Sequence, residues 1–346
     1  MIEAAFYTKN NDNLVICNLC RHNCRIKDGK RGICNVRENK DGRLYSIFYS
    51  RPCAMAVDPI EKKPLFHFLP ASKSFSIATF GCNFQCDFCQ NWDISQYGRG
   101  SLTDLITYKQ ESIENRLEEV SPSEVLRRAI GATCKSISYT YSEPTIFYEY
   151  ARDIAIIAKK VGLKNIFVTN GFMTRSVIDE ASAWLDAANI DLKAFKKETY
   201  KKVIKADLNG VLDSIAHMKK LGIWIEITTL LVPKLNDDES EITDIANFIA
   251  GVGKEIPWHI SRFHPQYKMQ KVPITPIDKM VKAYEIGKKA GLKYVYLGNV
   301  STRDAEDTFC WNCGKMLIER TGYNIGNNLI RNGRCPTCNS LIDGLF

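Results

Sequence analysis

Hydrophobic residues follow two alternating spacings through most of the chain. Short apolar and β-branched runs, such as 165–169, predict buried strands, whereas segments such as 146–161, with apolar residues every third or fourth position, predict helices with one buried face. Strands are predicted at 75–80, 136–141, 165–169, 188–192, 223–231, 258–263 and 294–297. Helices are predicted at 122–130, 146–161, 174–185, 209–221, 239–250 and after a cap at 275–278.

Three of the predicted helix-to-strand junctions have nearly the same sequence. Lys-Lys-x-Gly stands at 159–162, 219–222 and 288–291. Lysines suit the negative end of a helix dipole, and glycine adopts the left-handed conformation that ends a helix. The junctions therefore predict an α/β fold of serial β/α units, about seven in number, in a partial or near-complete parallel β/α barrel.

Two polar or proline-containing stretches interrupt this pattern. Residues 42–73 predict an extended connector, with an irregular crossing at its two central prolines, and residues 96–120 predict a loop or lid. Together with the cysteine positions, these boundaries divide the chain into an N-terminal segment with its connector (1–70), a barrel core (71–303) and a tail (304–346).

Composition is that of a globular enzyme. The chain has 346 residues, 45% of them hydrophobic and 25% charged, which is enough for one large domain with small appendages. Its net charge of +8 permits an anionic substrate or a nucleic acid without requiring either. The longest apolar runs are too short to cross a membrane, and the N-terminus lacks the features of an export signal, so we expect a cytoplasmic protein.

Thirteen cysteines are many for a cytoplasmic protein, in which disulfides are rare and clustered cysteines usually bind metal. Only Cys53 and Cys134 stand apart from three groups. The central cysteine group is Cys82, Cys86 and Cys89. The N-terminal cysteine group is Cys17, Cys20, Cys24 and Cys34, and the C-terminal cysteine group is Cys310, Cys313, Cys335 and Cys338.

The central cysteine group has the spacing C-x3-C-x2-C directly after the predicted strand at 75–80. Three soft thiolates in one loop can hold three irons of a cubane cluster. No fourth cysteine follows at ferredoxin spacing, so one iron keeps an open coordination position, which is typical of chemistry rather than of structure. The alternative is a zinc site that a remote residue completes, and Phe88 before the last cysteine argues against it.

The two outer cysteine groups predict metal-binding appendages at both ends. The N-terminal cysteine group would close a zinc site or ligate a second iron–sulfur cluster, with His22 as an alternative ligand. The two C-x2-C pairs of the C-terminal cysteine group predict a zinc ribbon or a rubredoxin-like tail, with zinc as the first choice and iron as the alternative.

The central loop, Gly-Cys-Asn-Phe-Gln-Cys-Asp-Phe-Cys, resembles the C-x3-C-x-aromatic-C signature of radical S-adenosylmethionine (SAM) enzymes. Further segments are similar to the AmmeMemoRadiSam system radical SAM enzyme, a family akin to pyruvate formate-lyase activating enzymes: Asp-Pro-Ile-Glu-Lys-Lys-Pro-Leu at 58–65, Gln-Asn-Trp-Asp-Ile-Ser-Gln at 90–96, Tyr-Ser-Glu-Pro-Thr at 141–145 and Ser-Arg-Phe-His-Pro at 261–265. The resemblance covers nearly the whole chain. One departure is Lys234, where the family usually has glycine.

This resemblance implies a radical SAM barrel in which the central cysteine group holds a [4Fe–4S] cluster that binds SAM. A ferredoxin- or flavodoxin-type donor would supply one electron, and the resulting 5′-deoxyadenosyl radical would abstract hydrogen from a substrate. It also implies Memo-type and AMMECR-type partner proteins. Phe88, Ser142 and Glu143 are implied cofactor contacts; Tyr141 and Ser142 replace the glycines of the family's Gly-Gly-Glu-Pro motif.

Polar residues at the C-terminal ends of barrel strands are functional more often than structural. The candidate cofactor contacts at such positions are Thr169, Asn170, Asp191 and Glu226, although Asn170 with its following glycine could instead form a turn. The candidate catalytic residues are Asp191, Lys193, Arg262 and His264.

Three functions fit these observations. The first is a radical enzyme that abstracts hydrogen from a small or nucleoside-like substrate. The second is an activating enzyme that places a glycyl radical on a partner protein. The third is a non-catalytic metal-binding or electron-carrier protein. Neither a P-loop nor a complete dinucleotide-binding fingerprint is present in the sequence, which disfavours nucleotide-driven chemistry.

Overall fold

The computed structural model describes residues 1–99, 117–300 and 304–346, so most of the loop predicted at 96–120 lies outside the described residues. An eight-stranded sheet forms the centre of the molecule, and its strands follow one another across the sheet in chain order. They are β1 (Ala54–Pro59), β2 (Lys73–Ala78), β3 (Ser136–Tyr139), β4 (Lys164–Thr169), β5 (Ala187–Asp191), β6 (Trp224–Leu231), β7 (Trp258–Arg262) and β8 (Val295–Gly298).

Strands β2 to β8 are parallel, and β1 pairs with β2 in the antiparallel direction. The described helices are α1 (Trp92–Ser95), α2 (Pro122–Gly131), α3 (Tyr148–Lys160), α4 (Arg175–Ala181), α5 (Lys197–Thr199), α6 (Leu208–Lys220), α7 (Glu239–Val252) and α8 (Ile277–Lys289). The predicted partial barrel of serial β/α units is therefore confirmed. No helix among the described residues is both long and apolar enough to span a bilayer.

Local capping follows the sequence signals. Ser121 accepts a hydrogen bond of 3.2 Å from the backbone of Glu124 at the start of α2, and Asp207 and Asp238 cap α6 and α7 in the same way. The junction glycines at 162, 222 and 291 have φ values of +81°, +79° and +90°, the left-handed conformation expected after a helix.

The connector predicted at 42–73 contains two strands that sequence reasoning missed, Arg43–Ser46 and β1. Residues of β1 form the edge of the main sheet, where Pro59 at the strand end costs no ladder hydrogen bond. Its Asp58 carboxylate accepts hydrogen bonds from Lys62, Lys63, Ser76 and Tyr141, and these donors lower the pKa of Asp58 although burial opposes the shift. The crossing is thus fixed by one buried acid.

Two small antiparallel sheets lie at the N-terminus, and a buried ion pair joins the sheet that contains Arg37 to α3. The guanidinium of Arg37 lies 2.9 and 3.2 Å from the two carboxylate oxygens of Glu149, and each side chain is 1% exposed. Arg37 also donates to the carbonyl oxygen of Ala5 at 2.6 Å, and Glu149 accepts a hydrogen bond from the backbone N–H of Ala5 at 2.7 Å. One of these sheets comprises Ile2–Glu3, Arg37–Lys40 and Arg43–Ser46. The other comprises Tyr7–Lys9, Val15–Cys17 and Arg25–Ile26.

The tail is a third antiparallel sheet, Thr308–Phe309, Met316–Thr321 and Asn324–Asn328, beside the C-terminal cysteine group. Sγ of Cys310 lies 3.5 Å from Sγ of Cys338, and Sγ of Cys313 lies 3.7 Å from Sγ of Cys335. All four sulfurs lie within 4.8 Å of one another. Sulfurs about 2.3 Å from a tetrahedral zinc stand about 3.8 Å apart. The group therefore fits a single metal ion.

The tail docks on the barrel through the segment that follows β1. Arg320 stacks 4.3 Å from the ring centroid of Phe66 and donates a hydrogen bond of 2.8 Å to its carbonyl oxygen. His67 is fully buried, with Nδ1 2.7 Å from the carbonyl oxygen of Asp343 and Nε2 2.6 Å from the hydroxyl of Tyr296. The tail thus covers part of the sheet.

Replacing Arg37 by methionine should lower the free energy of unfolding by about 3–5 kcal/mol, because Glu149 would keep a buried charge without its cation. Urea denaturation measures the loss. The control is Arg127→Met, since Arg127 pairs with Glu124 on the surface and its side chain is 74% exposed. Equal unfolding midpoints for the two variants would contradict the role of this pair.

Replacing Cys310 and Cys335 together by serine should remove the metal ion of the tail and lower the melting temperature. A metal bound only by the folded chain contributes its binding energy to folding. Metal analysis and thermal unfolding of the purified chain measure both effects, with Cys53→Ser as the control outside the three cysteine groups. Unchanged metal content in the double variant would show that the group binds none.

Candidate functional site

A cavity of about 520 Å³ lies at the C-terminal ends of the parallel strands. Each strand from β2 to β8, or the loop that follows it, contributes to the wall, because parallel strands bring those ends to one rim. One lining residue from each, in strand order, is Cys82, Glu143, Thr169, Asp191, Thr228, Ser261 and Leu297. A volume of this size is typical of a small-molecule site.

The loop after β2 carries the central cysteine group into this cavity. Gly81 has φ +97°, and a Cβ there would lie 2.6 Å from Cγ1 of Val36 and 2.8 Å from the carbonyl oxygen of Cys34. Only glycine fits such an approach. The loop is therefore pressed against the N-terminal segment before it presents Cys82, and all three thiols of the group line the cavity.

The three central thiols are not gathered as closely as the ligands of a single ion. Among the described residues, the C-terminal cysteine group alone brings three or more ligand atoms within 4.8 Å of one another. A cubane does not require so close an approach, because each thiolate binds a different iron. Sγ of Cys82 accepts a hydrogen bond from the backbone of Phe84 at 3.3 Å. Burial raises the pKa of the Cys86 thiol to about 12.

A lysine provides positive charge beside the thiols. Nζ of Lys193 lies 2.8 Å from Asp191 and 6.0 Å from the ring centroid of Phe88. Burial opposes its charge, but the carboxylate of Asp191 and the thiols of Cys86 and Cys89 outweigh burial and raise the pKa of Lys193. All these residues line the cavity, so a cation faces the position where an anionic cluster would bind.

Glu143 is the most constrained acid of the site. Its Oε1 accepts hydrogen bonds from the backbone and hydroxyl of Thr145, at 3.1 and 2.5 Å, and from the hydroxyl of Thr169, at 2.6 Å. Its Oε2 accepts one, from the backbone of Asn170 at 2.8 Å. Burial raises the pKa of Glu143, while these donors favour its charged form. Glu143, Ser142, Thr169 and Asn170 line the same part of the wall.

Tyr141, where the family motif has a glycine, adopts the glycine conformation with φ +61°. Its hydroxyl donates to Asp58, its carbonyl oxygen accepts from Asn91 at 2.8 Å, and Nζ of Lys63 lies 4.5 Å from its ring centroid. These contacts compensate a backbone conformation that is costly for a residue with a side chain.

Three predicted site residues do not lie on the cavity wall of the described structure. Arg262 donates to the carbonyl oxygen of Thr275 at 2.7 Å, and His264 is exposed beyond β7. His259, Ile260 and Ser261 of β7 line the cavity instead, whereas Arg262 is held outside the wall by its contact with Thr275. Glu226 is fully buried and accepts hydrogen bonds from His259, Trp224 and the backbone of residues 66 and 67.

Two sets of lining residues were missed by sequence reasoning. Lys62 and Lys63 follow β1, and their motif could have indicated them, since it carries part of the family resemblance. Glu306 and Tyr323 come from the tail, where Tyr323 sits at the tip of a hairpin and the backbone of Gly322 donates to Glu306 at 3.0 Å. No local pattern in the tail indicates this contribution.

The N-terminal cysteine group lies beside the central loop. Burial raises the pKa of Cys20, and the thiols of Cys17, Cys34 and Cys24 raise it further. No three of them meet within 4.8 Å. His22 is engaged elsewhere, with Nε2 2.8 Å from the carbonyl oxygen of Asn83.

Comparison with known proteins agrees with this geometry. Residues 76–248 match the profile of the Radical SAM superfamily. The chain is 44% identical to an uncharacterised protein of Methanocaldococcus jannaschii over 99% of both chains. It is 23% identical to the pyruvate formate-lyase 1-activating enzyme of Escherichia coli, over 62% of this chain and 89% of that one. It is 25% identical to the GTP 3′,8-cyclase of Nautilia profundicola, over 71% of this chain and 77% of that one.

The family match spans the central loop, β3 to β6 and most of α7, which together supply most of the cavity wall. Membership implies a [4Fe–4S] cluster, SAM and a one-electron donor, and the three spaced thiols with a facing cation fit the cluster. The chain is therefore an enzyme of the radical SAM superfamily, related to the glycyl-radical activating enzymes.

Proposed function

We propose that this enzyme cleaves SAM reductively on a cluster held by Cys82, Cys86 and Cys89 and abstracts hydrogen from a substrate in the cavity. The observation that supports the proposal is the placement of three thiols, Lys193 and Glu143 on the wall of one cavity. The cluster and SAM, when bound, supply a 5′-deoxyadenosyl radical; the protein supplies binding and orientation.

The wall residues suit the polar groups of the cofactor. Oε2 of Glu143 accepts one hydrogen bond from the protein and has a lone pair left, so we assign it to the cofactor's ammonium group. We assign Ser142, Thr169 and Asn170 to the adjoining polar groups, and Phe88 to packing against the cofactor.

Asp191 and Lys193 are the first candidates for catalytic contact. Their ion pair of 2.8 Å faces the cavity, so Lys193 can bind a carboxylate of cofactor or substrate while Asp191 holds its position. Arg262 is the last residue of β7 and His264 follows it, both away from the wall, and we assign them to contacts with a larger substrate or partner at the rim.

A small-molecule or nucleoside-like substrate is our first choice. Glu306 and Tyr323 of the tail line the cavity together with Lys62 and Lys63, so the wall offers both signs of charge to a compact polar ligand. We further propose a cytoplasmic enzyme with a ferredoxin- or flavodoxin-type donor that works with Memo-type and AMMECR-type partners.

The second candidate function is the activation of a partner protein by a glycyl radical. Similarity to the pyruvate formate-lyase 1-activating enzyme supports it. Electron paramagnetic resonance on the reduced enzyme mixed with SAM and a candidate partner separates the two functions. A radical located on the partner would favour activation, and its absence with every partner would leave the small-molecule reaction.

The anaerobically reconstituted and reduced enzyme should convert SAM to 5′-deoxyadenosine, and Cys86→Ala should reduce the yield to background. Loss of one thiolate leaves an iron without its protein ligand. Liquid chromatography measures the product, with Cys53→Ser as a control that should retain the wild-type yield. A fully iron-loaded wild-type enzyme that forms no 5′-deoxyadenosine would instead favour a non-catalytic metal protein.

Glu143→Gln should weaken SAM binding about 10- to 100-fold, because a charge-assisted hydrogen bond is worth about 1.5–3 kcal/mol. Equilibrium dialysis on the oxidised, cluster-loaded enzyme measures the dissociation constant. Iron content should stay at the wild-type level, since Glu143 is not a ligand. Glu198→Gln, on the surface with a side chain 70% exposed, is the control. Equal affinities would remove Glu143 from the cofactor site.

A further inference from the structure

We propose that the N-terminal cysteine group ligates a second iron–sulfur cubane, which passes electrons to the cluster of the central cysteine group. The transfer step rests on the proposed function, whereas the existence of the second cluster does not. The second cluster is supported by the spread of the thiols, by their contact with the central loop, and by the charge of the segment that contains Cys24.

The molecule contains two four-cysteine groups, and they differ in spread. The C-terminal group gathers its sulfurs to 3.5 and 3.7 Å, the separation that one tetrahedral ion sets. The N-terminal group also lies within one short segment, yet no three of its sulfurs come within 4.8 Å of one another. A cubane binds each thiolate through a different iron and therefore holds the sulfurs farther apart than a single ion does. For this reason we assign the wider group to a cluster.

The cysteines of this group are anchored in the fold. Cys17 belongs to a strand and donates a backbone hydrogen bond of 3.0 Å to the carbonyl oxygen of Cys24, while Cys20 forms a bridge with Met173. Cys17, Cys20 and Cys34 are 6%, 8% and 8% exposed. The backbone therefore holds the group in a buried setting, which shields a cluster from solvent.

The group also touches the central loop directly. The carbonyl oxygen of Cys34 lies against Gly81, the residue before Cys82. The guanidinium of Arg99 joins the two segments, because it donates to the carbonyl oxygens of Ile33 and Cys82, the latter at 2.6 Å. A short route of packed atoms and hydrogen bonds thus connects the two cysteine groups, and its cation favours the more negative, reduced state of either cluster.

The surface beside the N-terminal group suits a negatively charged electron donor. Arg25, Lys27 and Lys30 are exposed in the segment that contains the partly exposed Cys24, and Asp28 is the only acid in the segment 21–34. Basic patches steer acidic partners to the place where they react. The central cysteine group, in contrast, faces a cavity that cofactor and substrate would fill.

The electron balance is simple. A reduced low-potential donor loses one electron, and the second cluster changes from the 2+ to the 1+ state. It returns to 2+ as the central cluster accepts the same electron, and no proton or bond is exchanged.

Three forms of the full-length chain, reconstituted anaerobically, test the second cluster: the wild type, Cys20→Ser with Cys34→Ser, and the triple alanine variant of the central group. Iron, sulfide and zinc analysis should show about half of the wild-type cubane iron in each variant. After reduction, SAM should change the electron paramagnetic resonance spectrum of the double variant and leave that of the triple variant unchanged.

Absence of cubane iron from the triple variant, with zinc beyond the ion of the tail, would overturn the second cluster. Failure of the proposed function would look different, since the double variant would then keep its cluster but show no response to SAM. Because the double variant could lose iron by misfolding, Cys24→Ser, at the exposed edge of the group, is a second variant. Circular dichroism checks that both variants are folded. Cys24→Ser should likewise lose half of the cubane iron.

The transfer step has its own test. With a reduced ferredoxin as donor, 5′-deoxyadenosine formation by the double variant should fall to background, whereas dithionite, a small reductant, should sustain it. Lys27→Glu with Lys30→Glu should slow the ferredoxin-driven reaction and weaken its salt dependence at unchanged iron content. A ferredoxin-driven rate that survives loss of the second cluster would overturn the relay.

Discussion

A chain of buried hydrogen bonds ties the strand ends to the cysteine loop, and the site depends on it. Glu143, after β3, accepts from the backbone of Asn170 at 2.8 Å, and the side chain of Asn170 donates to that of Asn83 at 2.7 Å. In the chain, Asn83 stands between two cysteines of the central group, and its backbone carbonyl oxygen contacts the ring of His22. Because buried polar groups are costly without partners, each member of this chain fixes the next.

A second buried network supports the opposite side of the cavity. Glu226 holds His259 at 2.6 Å and binds the backbone of the segment that follows β1, where His67 joins Tyr296 and the tail. Burial opposes the charge of Glu226, but its partners outweigh it and lower the pKa. Removal of any member would leave a buried polar group unpaired, so the tail, the segment after β1 and the cavity wall form one packed unit.

Both appendages therefore contribute to the barrel site. The tail closes part of the wall with Glu306 and Tyr323, and the N-terminal segment packs on the central loop at Gly81. One four-cysteine group has the spread of a single ion, and the other is wider.

The sequence by itself determined the serial β/α units, the left-handed junction glycines and the rim on which the central cysteine group lies, because these follow from local periodicity and from the polarity of parallel strands. Only the tertiary structure decided that β1 is the edge strand of the sheet and that Glu226 is buried in contact with His259. It also allowed Tyr141 to take a glycine conformation, with φ +61°. These outcomes depend on contacts between residues far apart in the chain, whose partners no local pattern names.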